Sequence, residues 1–199
     1  LLSESFDVFA LNFRDHGQTH NLNEGLFHSC RLQEVVDAVK QVLQLYRPKR
    51  FFVAGFSLGG NFALRLALAA PTENLSIDAV FSICPPVDPS AVMRALETGP
   101  PLYHWYFMKK WRGSLRRKRE LFPLTHAFDY AILKRDMRGL TQWLVEQHTH
   151  WEHEEAYFSG YSVAGNRLSR LSIATHILAA EDDPVIPIAT LKALQMPDL

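Results

Sequence analysis

Cysteine is scarce. Cys30 and Cys84 are the chain's two, far apart and outside any Cys-x-x-Cys spacing. Such a pair makes neither a disulfide framework nor a thiolate zinc site, and reads as reduced core thiols of a cytosolic protein. Excess charge is missing as well, since 21 Lys and Arg balance 21 Asp and Glu. A neutral chain has no basic surplus for general nucleic-acid binding. No apolar run reaches the length of a membrane span, and there is no internal repeat or low-complexity tract. An initiator Met and a signal-peptide pattern are also absent: Leu1-Leu2-Ser3-Glu4 stands just ahead of a strand-like pattern, and Leu199 comes just after a helical one. Both ends are therefore expected to be cuts. What remains is ordinary, 199 residues at 47% hydrophobic and 12% aromatic, enough for one domain with a sizeable core.

The pattern sharpens around Ser57. Phe51-Phe52-Val53-Ala54 is a short apolar run, Gly55-Phe56-Ser57-Leu58-Gly59-Gly60 a Gly-rich turn, and Asn61 to Ala70 an Ala- and Leu-rich helix expected to stop at Pro71. A serine at the tip of a sharp strand-to-helix turn takes a strained backbone conformation. Its neighbours must be small because strand and helix pass close together, the role expected of Gly55 and Gly59. The turn pushes the hydroxyl into the open. The Leu58 N–H points at the same spot, and the helix N-terminus adds partial positive charge where an oxyanion would form.

The rest of the chain alternates. Phe6 to Phe13 is β-rich and mostly apolar, suited to an interior parallel strand, and runs into the turn Arg14-Asp15-His16-Gly17. From Arg31 the apolar positions Leu32, Val35, Val36, Val39, Val42, Leu43 and Tyr46 predict an amphipathic helix ended by Arg47-Pro48. Residues 77–84 form the next predicted strand and 172–180 the last, followed by Glu181-Asp182-Asp183-Pro184. Strands alternating with helices imply α/β architecture with a mostly parallel sheet. Residues 89–168 break the rhythm with helical patterns and many aromatics. The expected organisation is a core of residues 1–88 and 169–199, with residues 89–168 inserted as a helical cap over the sheet's carboxyl edge, where ligands bind in open α/β sheets.

With these features the chain resembles the α/β-hydrolase superfamily and, within it, the YheT-like branch of predicted esterases. The matching segments are Asn12-Phe13-Arg14-Asp15-His16-Gly17, Phe27-His28-Ser29, the turn from Gly55 to Asn61, Ala127-Phe128-Asp129, and Glu181-Asp182-Asp183-Pro184. The resemblance implies Ser57 as nucleophile, Leu58 N–H as an oxyanion donor, Gly55 and Gly59 as the glycines of the elbow, and Asp183 as the acid. Asp183 is preferred to Asp182 because an acid followed by Pro-Val-Ile-Pro is similar to the family pattern. The family's triad histidine follows the acid, and no histidine follows Asp183 in this chain. It is expected in a loop some 25–35 residues further on, which makes this chain a fragment of a longer hydrolase. The family also places a strand ending in His-Gly between the strand of residues 6–13 and that of 51–54. This chain lacks it, so those two strands are not expected to pair.

Other histidines have plainer uses. His16 is the best internal candidate for a base, and its alternative is a turn residue. His148, His150 and His153 have a metal-like spacing, but the segment from Glu146 to Glu155 reads as a solvated helical face with no third ligand, and no metal is expected. The basic run Lys109, Lys110, Arg112, Arg116, Arg117, Lys118 and Arg119 follows Trp105, Tyr106, Phe107 and Trp111. It suits peripheral contact with an anionic membrane. The alternative is a solvated cap face with the aromatics turned into the core.

The expected function is hydrolysis of a carboxylic ester through an acyl-serine, with no cofactor. The aromatic insertion suggests a lipid-like or short-to-medium acyl ester as substrate. A thioesterase or acyltransferase would use the same serine. A hydrolase-fold protein that binds without catalysing is the reading from another class, favoured if no histidine completes the triad.

Overall fold

The structure, a computed structural model, describes residues 2–198. Three parallel strands, β1 (Phe52–Phe56), β2 (Ala79–Ile83) and β3 (Ala174–Leu178), lie in the order β1-β2-β3. The register sets Gly55 opposite Ser82 and Ser82 opposite Ile177, so the carboxyl ends of all three strands share one edge. Helices α1 (Leu32–Tyr46) and α2 (Leu58–Glu73) precede and follow β1. α1 forms as its spacing predicts, with Val35, Val36 and Val39 buried, and Arg47 ends it in a left-handed turn at φ 45°. α2 is buried on nearly all sides from Gly60 to Ala67, which its small and apolar residues allow. Phe62, Leu64 and Leu66 there are at most 1% exposed, each contributing about 1.5–3 kcal/mol by burial.

The block between β2 and β3 carries α3 (Pro89–Thr98), α4 (Pro101–Leu121), a short 3-10 turn (Tyr130–Lys134), α5 (Met137–His148) and α6 (Glu154–Tyr161). α7 (Ile188–Lys192) follows β3. Most buried apolar side chains fall into two clusters. One joins α1 and α2 to the strands, and the other gathers α3 to α6 with Leu26. Two polar ties cross between them. Asn61 Nδ2 donates to the Tyr161 carbonyl at 2.9 Å, and the Ser29 N–H donates to the Tyr157 hydroxyl at 2.9 Å. Among the described residues no helix is long and apolar enough to cross a membrane.

Three local expectations need correction. Residues 6–13 form no strand. They run along α1 and β1 with Phe6, Val8, Phe9 and Leu11 about half exposed, held by ring contacts such as Phe6–Phe52 at 5.9 Å. A β-rich sequence becomes a strand only with a ladder partner, and β1 offers these residues none, in line with the absence of direct pairing expected above. α2 does not stop at Pro71 but runs through it to Glu73. The lost N–H falls in the last turn, where Ala70 stays on the core and its carbonyl accepts from the Asn74 and Leu75 N–H groups. The segment from Glu146 to Glu155 is not one helical face. α5 ends at His148, the chain turns, and the His153 side chain accepts from the Ala156 N–H to cap α6, while His148 packs against Trp143.

Candidate active site

Ser57 joins β1 to α2 at φ 50°, ψ −121°, a backbone conformation that a side chain disfavours. The fold holds it there. The Ser57 N–H donates to the Ile83 carbonyl at 2.8 Å, and the Ser57 carbonyl accepts from the Asn61 N–H at 3.1 Å. The hydroxyl is exposed. The Leu58 N–H is in the first turn of α2, where no earlier helical carbonyl can accept it, and it keeps the positive end of the helix beside Ser57.

The glycines divide their work differently from the expectation. A Cβ on Gly55 would lie 2.2 Å from the Gly59 carbonyl oxygen and 2.7 Å from the Gly60 nitrogen, both backbone. A Cβ on Gly60 would meet Ser82 Oγ at 2.8 Å and the Gly55 oxygen at 3.1 Å. A Cβ on Gly59 would meet nothing within 4 Å. Gly55 and Gly60 are thus the residues that let strand and helix touch, and Gly59 contributes its backbone to the contact, not its lack of a side chain.

Ser57 and Leu58 open onto a cleft of about 810 Å³ between the carboxyl edge of the sheet and α3 to α6. That volume suits a small organic molecule. Its inner lining includes the buried Leu26, Met93, Leu96, Met137 and Leu144. Three histidines reach it: His16, His28, which stands in one of the segments that carry the resemblance, and His20, which the sequence did not mark. His16 Nδ1 is 2.8 Å from the Arg14 carbonyl. A carbonyl only accepts, so Nδ1 carries the proton and Nε2 is left as a base. Burial, with Arg31 nearby, pushes His28 down to about 4, and burial also lowers His20. His28 is therefore neutral at pH 7. Burial pushes the Cys30 thiol up to about 11, which removes it as a rival nucleophile.

Asp183 follows β3, and its Oδ1 accepts from the Val185 N–H at 2.8 Å and the Ile186 N–H at 3.0 Å. Val185 and Ile186 line the cleft, whereas Asp182 is exposed. Asp129 caps the 3-10 turn through the Ala131 N–H at 2.8 Å.

The basic run lies on α4 and does not act as one face. Lys118 is fully buried, so it is struck from any membrane-facing set. Its ammonium donates to Asp15 Oδ1 at 2.6 Å, the Asn23 carbonyl at 2.6 Å and the His20 carbonyl at 3.1 Å, while Asp15 Oδ2 accepts from the Phe27 N–H at 2.8 Å. Arg112 donates to the Arg135 carbonyl, and Arg119 stacks over Tyr130. Lys109, Lys110, Arg116 and Arg117 are exposed, and so are Trp105, Tyr106 and Phe107.

A family model described as alpha/beta hydrolase fold matches residues 1–196. No curated protein matches the chain. Among solved structures, the chain is similar to an alpha/beta fold family hydrolase from Bacillus anthracis str. Sterne, at 11% identity and a TM-score of 0.44 over 94% of this chain and 71% of that one.

Proposed function

The chain belongs to the alpha/beta hydrolase family, and on that premise we propose that it hydrolyses carboxylic esters of apolar acyl chains through an acyl-Ser57 intermediate. The observation that carries this reading is the strained Ser57 backbone, which holds an exposed hydroxyl over an apolar cleft. A base takes the Ser57 proton as Oγ bonds to the ester carbonyl carbon, and the Leu58 N–H stabilises the oxyanion. Collapse breaks the bond to the alkoxy group, which leaves as the alcohol with the base's proton. Water then attacks the acyl-serine by the same steps in reverse and releases the acid. We assign the acid to Asp183, whose turn leads into the cleft lining, and the branch to the YheT-like esterases. The base this reading requires is a histidine oriented by Asp183. The free Nε2 of His16 in the same cleft supports a second assignment of the base.

A fluorophosphonate probe should label the protein stoichiometrically on the peptide that contains Ser57. Label on another serine would sink the proposal. Asp183→Asn should lower kcat by orders of magnitude with the melting temperature nearly kept, and Asp182→Asn should be mild. A mild Asp183→Asn together with a dead His16→Gln would move the base to His16.

Exposed Trp105, Tyr106 and Phe107 beside Lys109 and Lys110 support a further part of this reading, that α4 rests on an anionic lipid surface. Cosedimentation with phosphatidylserine vesicles should exceed that with phosphatidylcholine vesicles. Equal partitioning would remove the contact.

A further inference from the structure

Resting on that reading of Ser57, we infer that the ester's polar end is anionic and is held by Lys110 and Arg117 at the mouth of the cleft. The charge of this protein is segregated. α4 carries seven Lys and Arg against the single carboxylate Glu120, in a chain that is neutral as a whole. Its buried stripe, Met108, Leu115 and Lys118, faces the protein. The neighbouring stripe, Tyr106, Lys110, Ser114 and Arg117, recurs at helical spacing and lines the cleft. Ser114 fixes that stripe in place through its hydroxyl, 2.9 Å from His20 Nε2.

The cleft offers these two cations no counter-charge of its own. Asp15 is the one carboxylate in its lining, and it is buried and bound to Lys118. None of the ion pairs among the described residues includes Lys110 or Arg117. The lining histidines supply no negative charge either. Both cations are exposed while lining the cleft, which places them at its mouth, whereas Leu26, Met93, Leu96, Met137 and Leu144 form its buried end. A ligand that satisfies both regions has an alkyl chain directed inward and an oxyanion at the rim, where charge-assisted hydrogen bonds replace its water. A wholly neutral ester would leave both cations to water, with Lys110 over the Tyr106 ring, and would gain nothing from either charge.

The test reads binding rather than turnover, in the Ser57→Ala form of the full chain. Octyl phosphate, octanoate and octanol are titrated calorimetrically. The anions should bind about tenfold more tightly than the alcohol. Lys110→Glu/Arg117→Glu should bring that ratio to one or below, and both positions are solvent-exposed, so the fold tolerates the change. Lys109→Glu/Arg116→Glu alters the same helix outside the cleft lining and should keep the ratio. Preference for both anions identifies a general oxyanion site, and preference for the phosphate alone identifies a phosphoryl group. Equal affinity for all three ligands overturns the inference, and so does an equal loss in both pairs of variants, which would assign the effect to the helix's diffuse field. Neither result touches fluorophosphonate labelling of Ser57, so the two readings fail separately.

Discussion

Ser57→Ala should lower ester turnover by about 10⁴- to 10⁶-fold, because it removes the atom that forms the covalent bond. The more telling variant is Ser57→Gly. It should be equally inactive and yet more stable. At φ 50° and ψ −121° the Ser57 backbone lies where only glycine is relaxed, a strain on the order of 1–3 kcal/mol. Glycine removes it at a cost of about 0.5–1 kcal/mol in unfolded-chain entropy. The net gain is about 1 kcal/mol, or roughly 2–4 °C in melting temperature for a chain of this size. Ser57→Ala keeps the strain and should melt with the wild type. A Ser57→Gly protein that melts below Ser57→Ala would show that the elbow is not strained at Ser57. A Ser57→Ala protein with full turnover would remove the nucleophile.

The second large effect is expected at Lys118. Lys118→Ala leaves the Asp15 carboxylate buried without its cation and frees the carbonyls of His20 and Asn23. Breaking a buried pair from one side costs about 3–5 kcal/mol, since the remaining charge keeps only the Phe27 N–H and no countercharge. Here that is about 6–20 °C of melting temperature. The double variant Asp15→Asn/Lys118→Met should recover part of the loss, because no net charge stays buried. A Lys118→Ala protein within 1 °C of the wild type would show that water reaches Asp15 and that the pair is not a closed one. The damage should be local first. Amide exchange should rise through residues 15–27, the loop that Lys118 ties to α4 and that brings His16, His20 and Leu26 to the cleft.

These two sites also show where sequence was a good guide and where it was not. The elbow was legible because its constraint is local: strand, turn and helix are consecutive, and a serine among small residues marks that turn. α1 was legible for the same reason, since its periodicity describes one face of one helix. Lys118 was not legible. In the sequence it is one cation among seven, and only the fold shows that its position on α4 points inward at Asp15. The strand expected at residues 6–13 failed on the same ground, because β-propensity describes a side-chain pattern and a strand needs a partner. Gly60 was passed over for Gly59, since spacing around a serine does not reveal which glycine faces Ser82. Of the cleft itself, the sequence marked Ser57, but not that Lys110 and Arg117 line it too, and Asp183 stands just outside the lining that Val185 and Ile186 join.

The order of the sheet has a consequence during synthesis. β2 and β3 are neighbours, yet every residue from Cys84 to Ile173 lies between them in the chain. On a ribosome adding about 5–20 residues per second, β2 is complete roughly 5–20 s before its partner exists. The buried residues of the helical cluster, from Leu26 to Phe158, all precede β3 and can gather in that interval. The helical wall of the cleft can therefore form while one edge of β2 still exposes bare N–H and C=O groups. The nascent chain needs its shielding at that stage, while still attached to the ribosome.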